Sequence, residues 1–589
     1  MNLSVRGACV AVILGLGCGS LGCGSKSAGG MYMPPVGRDA GMDASTKPDV
    51  SPDVTPPVSS AQSKRIFPGE AHLLPGGSSC TVEVGATSDR WCAFLAPSSV
   101  NLGGEDLFVI DMTKVAAGVT VSCGTGDANC LRLTTGFVDD GMTHVAQFQG
   151  DTLAYYDATG LPYAWRPGML NGRKLATAAQ GDVHDCVPAR KGAAIVCLHD
   201  AGSMTFGGAG GAAGAGGAAG DAGGAGGAAT APSGTLALTD LLVGRVDATG
   251  DSPLTKIDTV ISDNSADPAN QRRFQVGVLP PSYDYFAWSS RPTYAEPETL
   301  KVQKIGDETT RLTVASDVTR WAVLADGSHF VWLSQFSYDS TAPTGKLQVA
   351  AFPSGTGATT VATDVGSYVL APTGGVVVRT GVTANRGVLS AIADPVGAPA
   401  QQVTLATGVV SIMGLSAAGQ VAYAKNYLSL GTSFLFDMYV SDLTGASAPC
   451  TVSANTEAIG LSLFLPTGAG VIWARATNLN STTDTSIFFD AELTSLPACA
   501  RGVAGSRIAG VAAVGNDGVF YMDDFDSATG RGSLRIRKVA AGALDPAAAM
   551  LVQTQADDYV VLHPTVPVVL YTVNAGSAND GLYIYNIVN

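Results

Sequence analysis

A chain of 589 residues with 46% hydrophobic and 14% charged residues can form a large core, which excludes an intrinsically disordered protein. Its 73 glycines and 30 prolines favour many turns and few long helices. The formal net charge is −15 and no segment is rich in Lys and Arg, so nucleic acid is excluded as a partner.

The first 23 residues predict a signal peptide for export. Arg6 precedes the apolar run ACVAVILGLG, which is too short to span a bilayer but has the length of a signal-peptide core. The next residues, CGSLGCGSK, resemble the lipobox of bacterial lipoproteins, in which the cysteine at the cleavage site is lipidated. We expect Cys23 to carry the lipid, because polar residues follow it directly, with Cys18 as the alternative. An ordinary secretory signal with incidental cysteines is the other interpretation.

Residues 24–63 predict a disordered tether, because Pro, Ser, Gly and Asp dominate and no apolar period is present. Together with a lipid at the start of the mature chain, such a tether would hold a globular body clear of the membrane. We therefore expect a protein of the cell envelope, at the outer membrane, that touches the bilayer through its lipid alone. The remaining residues, 64–589, are predicted to form the folded domain.

Eight cysteines follow the signal region, and an even number in an exported chain is typical of disulfides. A zinc site is disfavoured, because the chain has no CxxC motif and no histidines at zinc-finger spacing. The spacing of the cysteines favours four pairs, although it does not exclude others: Cys80 with Cys92, Cys123 with Cys130, Cys186 with Cys197, and Cys450 with Cys499.

Short apolar runs with one aromatic position return along the chain at intervals of 44 to 50 residues. Each is followed by a second alternating run, such as LQVAAF or LRIRKV, and alternation is typical of half-buried strands. A repeat of this length built from strands fits a four-stranded propeller blade, with a β-sandwich array or a β-solenoid as the alternative. The equivalent positions are Trp288, Trp332, Val378, Tyr423, Trp473, Tyr521 and Tyr571.

Weaker copies such as RWCAFLA and AAIVCLHD extend the repeat towards the N-terminus, giving about 7–10 units and an all-β propeller as the predicted fold. The unit ADGSHFVWLS at 325–334 resembles the TolB-type propeller repeat, in which an Asp-Gly turn precedes an apolar and aromatic strand. That resemblance implies a ring of blades around a central channel and, by itself, no activity. We expect the segment KRIFPGEAHLLPG at 64–76 to supply a strand that closes the ring.

A glycine- and alanine-rich segment, FGGAGGAAGAGGAAGDAGGAGGAAT, lies between two strand-like runs of one unit. It matches G-x-G-x-x-[GA] several times, but no βαβ unit surrounds it, so the matches do not indicate a phosphate-binding loop. We interpret residues 203–234 as a surface insertion within one blade.

The sequence offers no linear catalytic motif and predicts no cofactor. None of the six histidines lies in HExxH, and His199 with Asp200 is the only adjacent acid–base pair, which a polar strand end explains. Asp523, Asp524 and Asp526 offer oxygen ligands for Ca²⁺, but their spacing is not that of an EF-hand, and solvated turn residues are the favoured interpretation.

These observations favour a non-enzymatic binding or protein-interaction scaffold, with an envelope protein or a glycan as its partner. The alternative is an extracytoplasmic carbohydrate-binding protein or a glycoside hydrolase that uses two carboxylates, because such a pair leaves no linear motif.

Overall fold

The protein is described from a computed structural model. One short helix, α1 (Met112–Ala116), is present in the described residues, and the side chain of Asp111 caps it by accepting from the backbone N–H groups of Thr113 and Lys114. No helix in this part of the chain is long and apolar enough to cross a membrane. The described residues are 31–32, 62–74, 79–80, 91–100, 104–124, 126–137, 145–177, 180–189, 192–206, 234–246, 253–262, 275–280, 282–290, 297–337, 342–430, 433–457, 459–477, 489–526, 529–562 and 566–587.

Two strands, β1 (Met31–Tyr32) and β2 (Ser63–Pro68), precede a series of antiparallel units that follow one another along the chain. Units 1 and 2 comprise β3 (His72–Leu73), β4 (Trp91–Pro97), β5 (Glu105–Asp111) and β6 (Cys130–Phe137), then β7 (Gln147–Gln149), β8 (Thr152–Tyr156), β9 (Pro162–Trp165) and β10 (Arg173–Lys174). Units 3 to 5 comprise β11 (Val183–Pro188), β12 (Ala194–Phe206), β13 (Gly234–Arg245) and β14 (Thr255–Ser262), then β15 (Val276–Leu279), β16 (Tyr285–Ser290), β17 (Thr299–Lys304) and β18 (Asp307–Ser316), then β19 (Arg320–Val323), β20 (His329–Ser337), β21 (Thr344–Ala351) and β22 (Thr359–Ala362).

Units 6 and 7 share one long strand, whose first half is the outer strand of unit 6 and whose second half is the first strand of unit 7. These two units comprise β23 (Val365–Leu370), β24 (Val376–Thr383), β25 (Arg386–Ile392), the shared β26 (Gln402–Leu415), β27 (Gln420–Leu430), β28 (Ser433–Asp442) and β29 (Cys450–Glu457). Units 8 to 10 comprise β30 (Ile459–Phe464), β31 (Gly470–Ala476), β32 (Phe489–Ser495) and β33 (Arg501–Ile508), then β34 (Gly510–Val514), β35 (Gly518–Asp526), β36 (Arg531–Ala540), β37 (Ala543–Leu544) and β38 (Met550–Ala556), then β39 (Asp558–Val561), β40 (Val568–Val573) and β41 (Gly581–Asn586).

The period-two pattern of the sequence produces these strands. In β36, Gly532, Leu534 and Ile536 are buried, while the intervening Arg535 and Arg537 are only partly buried. The second strand of a unit is instead buried on both faces, because another unit packs on each side of it. This explains why the repeated aromatic position, which lies on the second strands, was the clearest signal in the sequence.

Apolar clusters fill the interfaces between consecutive units and close the series into a ring. At the last interface, Leu570 and Leu582 of unit 10 pack in one cluster with Phe94 and Phe108 of unit 1. First strands of neighbouring units also contact one another, as β7 does with β11 and β39 with β3. The first strands therefore surround the centre of the ring, and we call the space that they surround the channel.

The predicted all-β propeller is confirmed, with ten units in the described part of the chain. Seven of them are separate four-stranded sheets, units 6 and 7 share a seven-stranded sheet, and the sheet of unit 9 has six strands because β1 and β37 join it. The closing strand also lies where the sequence placed it. Strand β2 pairs antiparallel with β41 as the outer strand of unit 10, with Ser63 opposite Tyr585 and Arg65 opposite Tyr583. The ring is thus completed by both ends of the folded region.

The glycine- and alanine-rich segment lies between paired strands of unit 3. Strand β12 continues to Phe206 and β13 begins at Gly234, where these two residues are opposite one another. Residues 203–206 and 234 therefore belong to strands, so the insertion is shorter than the range 203–234 interpreted from the sequence. Residues 207–233 lie outside the described residues, as do the interpreted signal peptide and most of the tether.

Candidate functional site

The channel edge of β34, the first strand of unit 9, carries an additional strand. The backbone N–H of Ala509 donates to the carbonyl of Met522 at 2.9 Å, so this residue faces β35 and away from the channel. Because successive residues of a strand direct their backbone groups to opposite sides, those of Gly510 face the channel. Strand β1 occupies this edge antiparallel, with Tyr32 opposite Gly510 and Met31 opposite Val511. A segment from the N-terminal region thus lies in the channel as an extended strand.

The sequence did not indicate this pairing. Residues 24–63 contain no alternating apolar pattern, and backbone hydrogen bonding to a strand edge requires none. Only the ring geometry brings the two segments together. The interpretation of this region as a disordered tether is therefore incomplete at Met31–Tyr32, where the structure places a short strand.

An acidic cluster lies where unit 10 meets unit 1, at the start of the first strand β39. The carboxylate of Asp557 accepts from the backbone N–H of Asn574 at 2.6 Å and from Nε of Arg531 at 3.3 Å. Next to it, burial and, to a smaller extent, the negative charge of Asp557 together raise the pKa of Asp558 to about 7. The nearby His72 acts in the opposite direction. This seam therefore places a carboxyl group that titrates near neutral pH beside the channel.

Unit 3 contains two histidines with carboxylate partners, but not in the arrangement that the sequence suggested. His199 and Asp200 are consecutive in β12 and have different partners. Asp200 lies 3.4 Å from Nε2 of His184, and His199 lies 3.5 Å from Asp240. A hydrogen bond to Asp185, at 3.0 Å from Nδ1, raises the pKa of His184. His199 and Asp200 thus lie in the interior of β12 and not at a strand end, where they take part in separate polar contacts and do not form an acid–base pair.

Two of the three acidic residues considered for Ca²⁺ bind an arginine instead. Asp523 lies 2.7 Å from Nε of Arg535, and Asp524 lies 3.5 Å from the Nη2 atom of the same side chain. Both residues belong to β35 and not to a turn, which corrects the interpretation as solvated turn residues. In the described residues no group of three potential ligands is arranged to hold a metal ion.

The cysteines of the folded domain form the four pairs that their spacing favoured. One disulfide joins the first strand β11 to the second strand β12 of unit 3, and another joins Cys80, an isolated bridge residue, to the second strand β4 of unit 1. A third, between neighbouring units, joins β29 of unit 7 to the turn after β32 of unit 8. Cys18 and Cys23, the interpreted lipid attachment sites, lie outside the described residues. The disulfides are Cys80–Cys92, Cys123–Cys130, Cys186–Cys197 and Cys450–Cys499.

No protein-family model matches this sequence, and no curated protein matches it. Solved structures share its fold. A structure of two prolyl endopeptidases has 10% identity and a TM-score of 0.35, covering 67% of this chain and 54% of that one. Porphyromonas gingivalis dipeptidyl peptidase 4 has 9% identity and a TM-score of 0.37, covering 81% of this chain and 65% of that one. A eukaryotic initiation factor has 10% identity and a TM-score of 0.43, covering 79% of this chain and 97% of that one.

At these identities the comparison shows the propeller fold alone, and this chain spans about half the length of the prolyl endopeptidase that it matches. The matched structures include prolyl endopeptidases, the tricorn protease, puromycin hydrolase and a dipeptidyl peptidase. The prediction of a non-enzymatic binding scaffold, together with its carbohydrate-directed alternative, is wrong by this comparison and is not retained.

Proposed function

We propose that the ring acts in peptide hydrolysis by receiving an extended peptide in its channel, where the peptide backbone pairs with the edge of a first strand. The observation that carries this proposal is the pairing of Met31–Tyr32 with Gly510 and Val511 of β34. It supports the proposal because it shows that the channel has room for a peptide strand beside the first strand. The segment of the chain itself then stands in for a peptide substrate.

Backbone pairing suits a ring that handles peptides of many sequences. Each added strand satisfies its own N–H and C=O groups and those of the edge, whichever side chains it carries. In the described residues, each of the other first strands except the shared β26 is the edge strand of its sheet on the channel side. These strands therefore offer unpaired edges similar to that of β34. The short β1 occupies only part of one edge, which leaves β34 accessible to a longer peptide that displaces it.

Binding of a labelled nonapeptide tests the proposal. The probe is AGGMYMPPV, the sequence of residues 28–36, and the matched control is AGGMPMPPV, in which proline removes the central N–H and cannot pair. We expect fluorescence anisotropy to show that the probe binds the full-length Tyr32→Pro protein. It should bind the wild type more weakly, because β1 of the wild type competes with the probe for the edge of β34. The control peptide should bind neither protein. Equal binding of the two peptides would contradict strand pairing.

Mass spectrometry of the same mixtures tests the hydrolytic part of the proposal. We expect fragments of the probe to accumulate with time and in proportion to protein concentration. If the probe binds and stays intact, the ring receives peptides without hydrolysing them, and the hydrolytic part is wrong.

We also propose that the ring is a lipoprotein of the TolB-like propeller type, held at the outer membrane by a lipid on Cys23 or, alternatively, Cys18. A lipid on Cys23 would lie eight residues before Met31, so with β1 in the channel the ring would stay within roughly 30 Å of the bilayer. Displacement of β1 by a peptide would release the chain between the lipid and β2, and the ring could then move further from the bilayer. Intact-mass measurement of detergent-extracted Cys23→Ser and Cys18→Ser variants identifies the modified residue, and an unmodified wild type would contradict the proposal.

A further inference from the structure

A side chain occupies the channel edge of β19, the first strand of unit 5. The backbone N–H of Leu324 donates to the carbonyl of His329 in β20 at 2.9 Å, so Leu324 faces the second strand of its unit. Because backbone direction alternates along a strand, the N–H and C=O of Trp321 face the opposite edge. Both groups bind one side chain: Oε1 of Gln275 accepts from this N–H at 3.0 Å, and its Nε2 donates to this carbonyl at 2.5 Å. The edge of β19 is therefore closed at Trp321.

The amide of Gln275 stands where one residue of a peptide strand would lie. In a hydrogen-bonded antiparallel pair, a residue offers one N–H and one C=O to the residue opposite, and the glutamine amide offers the same donor and acceptor. Unit 4 holds this residue in place, since its backbone carbonyl accepts from the N–H of Ser289 in β16 at 2.8 Å. Gln275 thus belongs to unit 4 by its backbone and closes the edge of unit 5 by its side chain.

Side chains of unit 2 close the edge of β11 in a similar way. The N–H of Ala189 donates to the carbonyl of Ala194 in β12, so the backbone groups of Cys186 face the other edge. Nε2 of Gln147 donates to the carbonyl of Cys186 at 3.1 Å, and the hydroxyl of Tyr156 accepts from its N–H at 3.0 Å. An edge without a paired strand is therefore not always open to a peptide.

Unit 8, which precedes β34, has a leucine at the position of Gln275. Gln275 comes directly before the residue that pairs with Trp288, the repeated aromatic position of unit 4. Leu461 comes directly before the residue that pairs with Trp473, the same position in unit 8. Leucine has no donor or acceptor in its side chain to offer to the next unit. There the edge at Gly510 is occupied by the backbone of β1 instead.

We propose that Gln275 closes the edge of β19 to peptides, and that Leu461 leaves the edge of β34 open, so that the ring receives its peptide at unit 9. This inference rests on the function proposed above and assigns the strand to which the peptide adds. At β19 a peptide must displace two hydrogen bonds from a side chain that unit 4 holds in place. At β34 it displaces only β1.

Exchanging the two side chains in the full-length Tyr32→Pro protein tests the assignment. With Gln275→Leu, we expect the amide of Trp321 to exchange at least about tenfold faster with solvent hydrogen, and AGGMYMPPV to restore its protection by adding to the opened edge. With Leu461→Gln, we expect the amide of Gly510 to gain protection without the peptide, and fluorescence anisotropy to show at least about tenfold weaker binding of AGGMYMPPV.

The matched control is Gln348→Leu, which removes an amide of unit 5 that bonds to the side chains of Ser334 and Thr360. It should leave the exchange of Trp321 and the binding of the peptide unchanged. A faster exchange of Trp321 in this control would show that any loosening of unit 5 exposes the edge, and would overturn the closing role of Gln275.

Two further results would overturn the inference and leave the proposed function standing. The first is exchange of Trp321 in Gln275→Leu that is unchanged, or that is faster but unaffected by the peptide, while the peptide still protects Gly510. The second is peptide binding by Leu461→Gln as strong as that of its parent. If the peptide protects neither Trp321 nor Gly510 in any of these proteins, the proposed function itself is wrong.

Discussion

The side chain of Asn574 holds both backbone polar groups of Ala71. Its Oδ1 accepts from the N–H of Ala71 at 2.9 Å, and its Nδ2 donates to the carbonyl of the same residue at 2.8 Å. Asn574 follows β40 in the last unit, and Ala71 precedes β3 in the first. A single amide group therefore joins the two ends of the ring at a buried position.

Removal of this amide should destabilise the ring at its seam. Asn574→Leu leaves the N–H and C=O of Ala71 buried without partners, and we expect a loss of about 2–4 kcal/mol in the free energy of unfolding. Urea denaturation measures it. Gln401→Ala, which removes an exposed amide, is the control and should change stability by less than about 0.5 kcal/mol. Equal effects of the two substitutions would contradict the role of the seam.

The raised pKa of Asp558 makes stability depend on pH. Since the folded-state pKa of about 7 exceeds the usual 3.9 of an unfolded chain, the folded state binds the proton more tightly between these values. Asp558 thus favours the folded state at low pH and loses this advantage as the pH rises from about 4 to about 7, by ~4 kcal/mol at most.

Asp558→Asn removes this titration while it keeps an acceptor for the backbone N–H of Tyr559, which lies 2.7 Å from Oδ1. We expect the Tm of the variant to exceed that of the wild type at pH 8, and the gain to shrink towards pH 4. A difference in Tm that is constant across this range would show that the carboxyl group has an ordinary pKa.

Glu492 of unit 8 is a buried carboxylate between two arginines. It is 1% exposed and accepts hydrogen bonds from Arg475 and Arg501, the second of which stacks 4.5 Å above the ring of Trp473. Glu492→Gln removes the counter-charge that the two arginines share, while Arg475 keeps Asp490 at 3.4 Å, and we expect a loss of about 1.5–3 kcal/mol in the free energy of unfolding. The exposed control Glu308→Gln should be nearly neutral in the same urea titration. If both variants unfold at the same urea concentration as the wild type, the network contributes nothing.

The disulfides should differ in how much they contribute to the free energy of unfolding, according to the length of the loop that each one closes. Cys450–Cys499 closes a separation of 49 residues and Cys123–Cys130 one of 7. In the chain-entropy model, double replacement by serine should cost about 4 kcal/mol for the first pair and about 2 kcal/mol for the second. Chemical denaturation under oxidising conditions measures both. A larger loss for the short loop would show that local packing, and not restriction of the unfolded chain, determines the effect.

The sequence predicted those parts of the fold that repeat. Positions such as Trp288 and Trp473 lie on second strands that are buried on both faces, so every unit leaves the same apolar and aromatic signature. The closing strand was predictable for a related reason. A ring of such units has one open edge at each end of the folded region. A strand-like segment near Lys64 was available to pair with the last strand, β41.

The candidate sites were not predictable, because they depend on contacts between distant segments. Asp558 acquires its raised pKa from packing at the seam. The pairing of Tyr32 with Gly510 involves backbone groups only and leaves no side-chain pattern.

Hydrogen exchange at single-residue resolution tests the central claim, that the channel edge of β34 binds an extended peptide strand. The amide of Gly510 faces the channel and that of Ala509 faces β35, so the two neighbours serve as probe and internal control. We expect the amide of Gly510 to exchange at least about tenfold faster in Tyr32→Pro than in the wild type, while the rate of Ala509 stays unchanged. Addition of AGGMYMPPV to the variant should restore the protection of Gly510. Exchange of Gly510 at the same rate in both proteins, unaltered by the peptide, would contradict the claim.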